Sequence, residues 1–161
     1  MEIRTATLAD VPAMMPVYDL GRAFMRRNGN ESQWINGYPS RELIEQDAAQ
    51  DRAFLCLEAG KIAAVFTFFV GEEPSYREIR EGAWLNDAPY GVIHRLASAG
   101  VTGGVGRFVF DWCFRQCKNL RVDTHRDNMV MRRLLESSGF VFCGVITIED
   151  GTERVAFQRA R

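Results

Sequence analysis

Apolar and polar residues alternate over Met1–Ala6 (MEIRTA), the period of a half-buried strand. Thr7 reads as an N-cap, with Asp10 closing a capping-box-like pair. Apolar residues at Leu8, Val11, Met14, Met15 and Tyr18 then recur at helical spacing, and the helix predicted there extends to about Arg27. Pro12 suits a first turn, whereas Pro16 predicts a kink or a break. Asn28–Ser40 is polar and rich in turn formers, yet it carries Trp34 and Tyr38, which need somewhere to pack. Ser40 caps a short helix over Arg41–Gln50 with Glu42 in its first turn. Strands over Ala53–Glu58 and Lys61–Val70 flank Ala59-Gly60, a tight hairpin signal.

Gly71–Pro89 has no clear periodicity, and long connections of this kind tend to be lids or binding loops. It carries Glu72, Glu73, Tyr76 and Trp84. Tyr90–Ser98 reads as a central strand whose alternation puts Val92, His94, Leu96 and Ser98 on one face and Ile93, Arg95 and Ala97 on the other. A glycine-rich loop and a helix to about Cys117 follow, then a strand over Leu120–Thr124. Asp127 or Asn128 caps a further helix to Ser138, and Gly139 supplies a left-handed stop. Strands over Phe140–Glu149 and Thr152–Gln158 are joined by the strong turn Asp150-Gly151. The order is β-α-α-β-β-β-α-β-α-β-β, a mixed sheet with helices packed on it. No boundary, repeat or low-complexity tract interrupts it, so one domain over residues 1–161 is expected.

Composition narrows the function. A formal net charge of −1 at pH 7 gives no electrostatic argument for nucleic acid or a membrane. The longest apolar run, Ile62–Val70, is too short to span a bilayer, and no leader-like segment opens the chain. Cys113 and Cys117 lie one helical turn apart, but no third ligand stands near them and the chain has only 2 histidines. Buried reduced thiols, no metal and a cytoplasmic location are the expectation.

The chemistry centres on Val101–Arg107 (VTGGVGR). Gly103, Gly104 and Gly106 lie between a strand and a helix, where backbone N–H groups and the helix dipole make a seat for phosphate. The dinucleotide fingerprint is incomplete, because Val109 stands in the third glycine's place, and a Walker loop is excluded.

The element order, this loop and the run NMVMRRLLESSGF together resemble the GNAT superfamily of acyl-CoA-dependent N-acetyltransferases over nearly the whole chain. The resemblance implies an α/β fold: a mixed, mostly antiparallel sheet with helices on both faces. It implies acetyl-CoA as acyl donor. Leu96, Ala97 and Ser98 match the end of the cofactor-binding strand, Gly104-Val105-Gly106 the pyrophosphate loop, Asn128 the helix-opening asparagine and Gly139-Phe140 the helix end. Gly103 and Arg107 belong with the loop by position; Arg132 and Arg133 read first as surface charges, with Arg133 the candidate to meet a cofactor phosphate. Two positions depart from the pattern: Val101 replaces the polar Gln or Arg that opens the loop, and Leu135 replaces the tyrosine that protonates the leaving thiolate in many members. Members are often dimers, and a homodimer is expected on that ground alone.

Acetyl transfer to an amine requires a neutral amine, a polarised thioester carbonyl and a route for the thiolate. The resemblance assigns carbonyl polarisation to the backbone around Leu96–Ser98. Glu72, Glu73, His94 and His125 are the candidate bases; His94 reads first as a satisfied core histidine, and His125 sits at a strand's carboxyl end near the expected cofactor. The thiolate proton can come from water, Tyr90 or His125. Arg95 and Asp123, on strands that the family pairs, read as a structural ion pair. Trp34, Tyr38, Tyr76 and Trp84 are candidates for an aromatic wall around a small-molecule or peptide amine. A non-catalytic acyl-CoA-binding domain is the competing reading.

Overall fold

The computed structural model describes all 161 residues. Its elements are β1 (Glu2–Thr5), α1 (Val11–Arg27), α2 (Arg41–Ala49), β2 (Ala53–Glu58), β3 (Lys61–Val70), β4 (Gly91–Ser98), α3 (Val105–Gln116), β5 (Asn119–Thr124), α4 (Met129–Ser137), β6 (Val141–Thr147) and β7 (Glu153–Ala160). They form one 7-stranded sheet in the order β1-β2-β3-β4-β5-β7-β6. Every adjacent pair is antiparallel except β4–β5, which is parallel. The expected mixed sheet and element order are both present.

Helices cover both faces. α3 and α4 bury Val109, Phe110 and Leu135 against Phe66, Ile93, Val122 and Phe157 on one face. α1 and α2 bury Met14, Tyr18 and Ile44 against Leu55, Val65 and Ala97 on the other. No helix is long and apolar enough to cross a membrane.

α1 runs through Pro16 without the break expected as one alternative there. Pro16 lies on the exposed side of the helix, between the buried Met14 and Val17, where the carbonyl it leaves unpaired can bond water. The entry to α1 follows expectation: the Thr7 N–H donates to Asp10 Oδ2 at 2.8 Å. A 3₁₀ turn, Leu8–Asp10, precedes the α-helix proper.

Two irregularities shape the middle of the sheet. The β4–β5 ladder is confined to Gly91↔Leu120 and Val92↔Arg121, so the strands part beyond Val92. β4 also carries a bulge: Thr67 pairs with His94 and Val65 with Ala97, so three steps on β4 oppose two on β3, and Arg95 has φ of 54°. The extra residue breaks the simple alternation expected for this strand. Ala97 packs on the α1/α2 face with Val65, whereas Leu96 packs with Ile93 on the α3/α4 face. The expected grouping of Leu96 with His94 is therefore corrected.

The connector Gly71–Pro89 is tied to the sheet along its length. Arg121 is sandwiched at 4.2 Å from the Trp84 ring and 4.1 Å from the Tyr90 ring. Its Nη2 donates to Asn86 O at 2.7 Å. Farther along, Arg80 bridges to Val145 of β6.

Candidate active site

Where β4 and β5 part, a cleft of about 690 Å³ opens. Ile93, His94, Arg95 and Leu96 line one wall and Val122, Asp123 and Thr124 the other. The α1–α2 loop, Glu73 and Ser75 of the connector and the β6–β7 turn close the rest.

The bulge aims β4 side chains into this space. His94 Nε2 lies 3.0 Å from Glu73 Oε2. Glu73 is itself positioned by two further bonds: its N–H donates to Tyr90 Oη at 3.0 Å, and its Oε1 accepts from Ser75 N at 3.2 Å. Burial pushes the Glu73 carboxyl up, but the hydrogen bond and charge of His94, with help from Ser75, outweigh this and hold it below its ordinary value. With Glu73 ionised, the Nε2–H tautomer of neutral His94 donates to it and leaves Nδ1 as a free lone pair. His94 is thus a partnered group on the cleft wall.

Arg95 and Asp123 do not pair. Arg95 reaches α2, where its Nη2 lies 2.8 Å and its Nε 3.0 Å from Asp47 Oδ2, and its Nη1 donates to Tyr38 Oη at 3.1 Å. Asp123 accepts instead from Tyr76 Oη at 2.6 Å. Even a continuous β4–β5 ladder would set His94, not Arg95, opposite Asp123.

The aromatic candidates divide. Trp34 and Tyr38 line the cleft, with ring centroids 6.2 Å apart. Tyr76 is 1% exposed, and the Trp84 Nε1–H donates to its carbonyl oxygen at 2.9 Å. These two pack beneath the wall and hold Asp123 and Arg121. His125 stands outside the cleft lining: its Nδ1 accepts the Asp127 N–H at 3.0 Å, and burial followed by the positive charge of Arg154 lowers its pKa.

At the glycine loop, Gly104 is the N-cap of α3 with φ of 73°, a left-handed conformation suited to glycine. Phe108 N–H already bonds Gly104 O at 3.1 Å, so the N–H groups before it in the first turn have no intrahelical acceptor. Gly106 serves packing, since a Cβ there would meet Leu134 Cδ2 at 2.5 Å, and its absence lets α3 approach α4. Gly103 has open space around it. Arg107 is engaged with the Ser137 carbonyl at the end of α4, and Arg133 is exposed. Asn128 caps α4 by accepting Met131 N–H at 3.1 Å, and its Nδ2 donates to Gln33 Oε1 at 3.1 Å. Leu135 is fully buried in the core and turned away from the cleft lining.

No family model matches the sequence, and no curated protein does. Solved structures do. An acetyltransferase of the GNAT family from Streptococcus agalactiae superposes with a TM-score of 0.90 at 28% identity, covering 99% of this chain and 95% of that one. The chain has the fold of the GNAT acetyltransferases. Other GNAT-fold likenesses are more distant. A ribosomal-protein-alanine N-acetyltransferase from Brucella melitensis matches with a TM-score of 0.64 at 18% identity over 100% of both chains. The aminoglycoside acetyltransferase AAC(6')-Ib, solved with ribostamycin and coenzyme A, matches with a TM-score of 0.64 at 18% identity, covering 99% of this chain and 92% of that one.

Several site residues escaped the sequence reading. Asp47 had a signal, since it shares the buried stripe of α2 with Ile44 and Ala48, where an acid demands a partner. Gln33 had none: its Oε1 accepts from Asn30, Thr124, His125 and Asn128, tying the α1–α2 loop to β5 and α4.

Proposed function

We propose that this GNAT-fold protein transfers an acetyl group from acetyl-CoA to the amine of a small molecule by direct attack on the thioester. The observation that carries the proposal is the parted β4–β5 pair, with a cleft between the strands and a partnered histidine on its wall. Acetyl-CoA would supply the activated acyl group. The N–H groups at Gly103–Arg107 would receive its pyrophosphate, with Leu96, Ala97 and Ser98 alongside the pantetheine arm and Asn128 at the far wall. The β4 edge that loses its ladder partner beyond Val92 offers backbone N–H to polarise the thioester carbonyl.

His94 is the base best supported by position. Its Nδ1 can accept the acceptor's ammonium proton while Glu73 steadies the imidazolium that forms. The neutral amine then attacks the carbonyl carbon, and the tetrahedral intermediate expels the coenzyme A thiolate. Tyr90 and His125 stand off the cleft lining, holding Glu73 N–H and Asp127 N–H respectively, which argues for supporting rather than proton-transfer roles. Leu135 offers no proton, so the thiolate takes one from His94 or from water. Trp34 and Tyr38 would border the acceptor, and Tyr76 and Trp84 would act on it through Asp123 and the connector.

The burial of Leu135 also supports a second reading, an acyl-CoA-binding domain without turnover. Release of free thiol from acetyl-CoA across a panel of primary amines separates the two. Turnover that depends on His94 supports the transferase, and tight acetyl-CoA binding with no turnover supports the binder.

A further inference from the structure

Arg154, at the start of β7, is 6% exposed, yet it lines the cleft. No neighbouring carboxylate forms an ion pair with it, although Glu149 and Asp150 line the same end of the cleft. Glu153 lies 2.8 Å from Arg80 and 3.9 Å from Arg126, and Asp150 accepts from Thr152 N at 2.9 Å and Oγ1 at 2.6 Å. Arg154 uses only one nitrogen within the protein: Nη1 donates to Thr152 Oγ1 at 3.0 Å and to Glu153 O at 2.9 Å. Its Nε and Nη2 donate to no protein group, and neither is sealed from the cleft as Arg121 Nε is.

A guanidinium this buried without a directly paired carboxylate is costly to keep. The free Nε–Nη2 edge is the fork that receives a carboxylate through two parallel hydrogen bonds. The other cleft arginines are occupied, Arg95 by Asp47 and Tyr38, and Arg52 over the Phe69 ring at 4.3 Å. Across the ladder, Asp123 pairs in register with Ala156, two residues from Arg154 on the same face. Asp123 and Arg154 are thus diagonal neighbours with backbones roughly 7–8 Å apart. One cation with an open fork and one acid stand side by side in the same cleft, with His94 and Glu73 on the wall opposite.

We propose that the acceptor is a small amino acid, its carboxylate held by Arg154 and its amine presented between Asp123 and His94. This rests on the acetyl-transfer reading for its chemistry, but the carboxylate site can be measured without turnover. Calorimetry on the coenzyme A-saturated protein compares each of the twenty N-acetyl amino acids, as products, with its own primary amide. At least one acid is expected to bind ten-fold or more tightly than its amide. Arg154→Gln should erase that ratio while leaving coenzyme A affinity within two-fold, and Arg154→Lys should retain part of it. Equal binding of every acid and its amide by the unmodified protein overturns the proposal, whether or not any variant folds. Weakened coenzyme A binding in Arg154→Gln also overturns it, by assigning Arg154 to the cofactor. Thiol release from acetyl-CoA with the free amino acids is read separately. Its absence alongside a retained acid-over-amide ratio defeats acetyl transfer and leaves the carboxylate site standing.

Discussion

His94 on β4 and Glu73 in the preceding connector meet through Nε2 and Oε2 at 3.0 Å, on the wall of a cleft that neither element forms alone. This contact fixes the imidazole so that its other nitrogen is free, the state required of a base. His94→Ala should lower kcat/KM by about 10²–10⁴-fold, the ordinary contribution of general base catalysis. Coenzyme A affinity should stay unchanged, and the acid limb of the rate profile should disappear. Thiol-release kinetics across pH check this, and an intact acid limb in the variant would remove His94 from proton transfer.

Glu73 links the same contact to stability. Its carboxyl is held below the ordinary glutamate value in the folded chain. Its stabilising contribution is therefore complete above the unfolded value of about 4.3 and is lost as pH falls through the lower folded value. Glu73→Gln should reduce the acid-side slope of stability against pH, read from urea unfolding at a series of pH values. An unchanged slope would show that the His94 bond does not bias this carboxyl.

Asp47 and Arg95 make a strong claim on the fold. Asp47 is 5% exposed and shares its carboxylate between Arg95 and the Thr67 hydroxyl, which donates at 2.7 Å. Asp47→Ala strands a guanidinium in the interior and should cost about 3–5 kcal/mol. Chemical denaturation measures it. A loss below 1 kcal/mol would mean that water reaches Arg95 freely.

Gly103 separates binding from folding. It has no left-handed φ and no neighbour that a Cβ would strike. Gly103→Ala should change stability by no more than about 0.5 kcal/mol, as at ordinary surface positions. Its coenzyme A affinity should nevertheless fall, if the backbone there lies against the pyrophosphate. Thermal shift with and without coenzyme A reads both effects in one experiment.

Leu135 cannot be converted into the missing acid by a single change. It is fully buried, within the core that includes Phe110 and Phe140. Leu135→Tyr should destabilise by about 1–3 kcal/mol through overpacking. It should bring no increase in kcat, and a rise in kcat would show that the α4 position still reaches the thiolate.

Strand and helix periods, hairpin turns and caps were legible because each is local: Ser40 and Asn128 cap their helices as expected, accepting from Leu43 and Met131 N–H. The glycine loop could be located from sequence, but the separate roles of Gly104 and Gly106 could not, because Gly106 is defined by Leu134 on another helix. The partners of Arg95 were misjudged for a similar reason. Which acid it meets depends on a bulge and on the placement of α2, and alternation along one strand reveals neither. Arg154 alternates with the apolar Val155 and Phe157, a pattern that reads as outward-facing, and only the covering of both faces of β7 buries it.

The bulge at Arg95 gives β4 two phases within eight residues, Gly91–Ser98. Upstream of it, odd and even positions mean one thing, and downstream they mean the reverse. Strand length here is consequently a functional variable in its own right. Deleting one residue between His94 and Ala97 would preserve the strand's composition and restore a regular ladder. It would leave His94 opposite Thr67 and Ala97 opposite Val65, each still on its present face, so relatives with and without the extra residue should be aligned on the two halves of β4 independently.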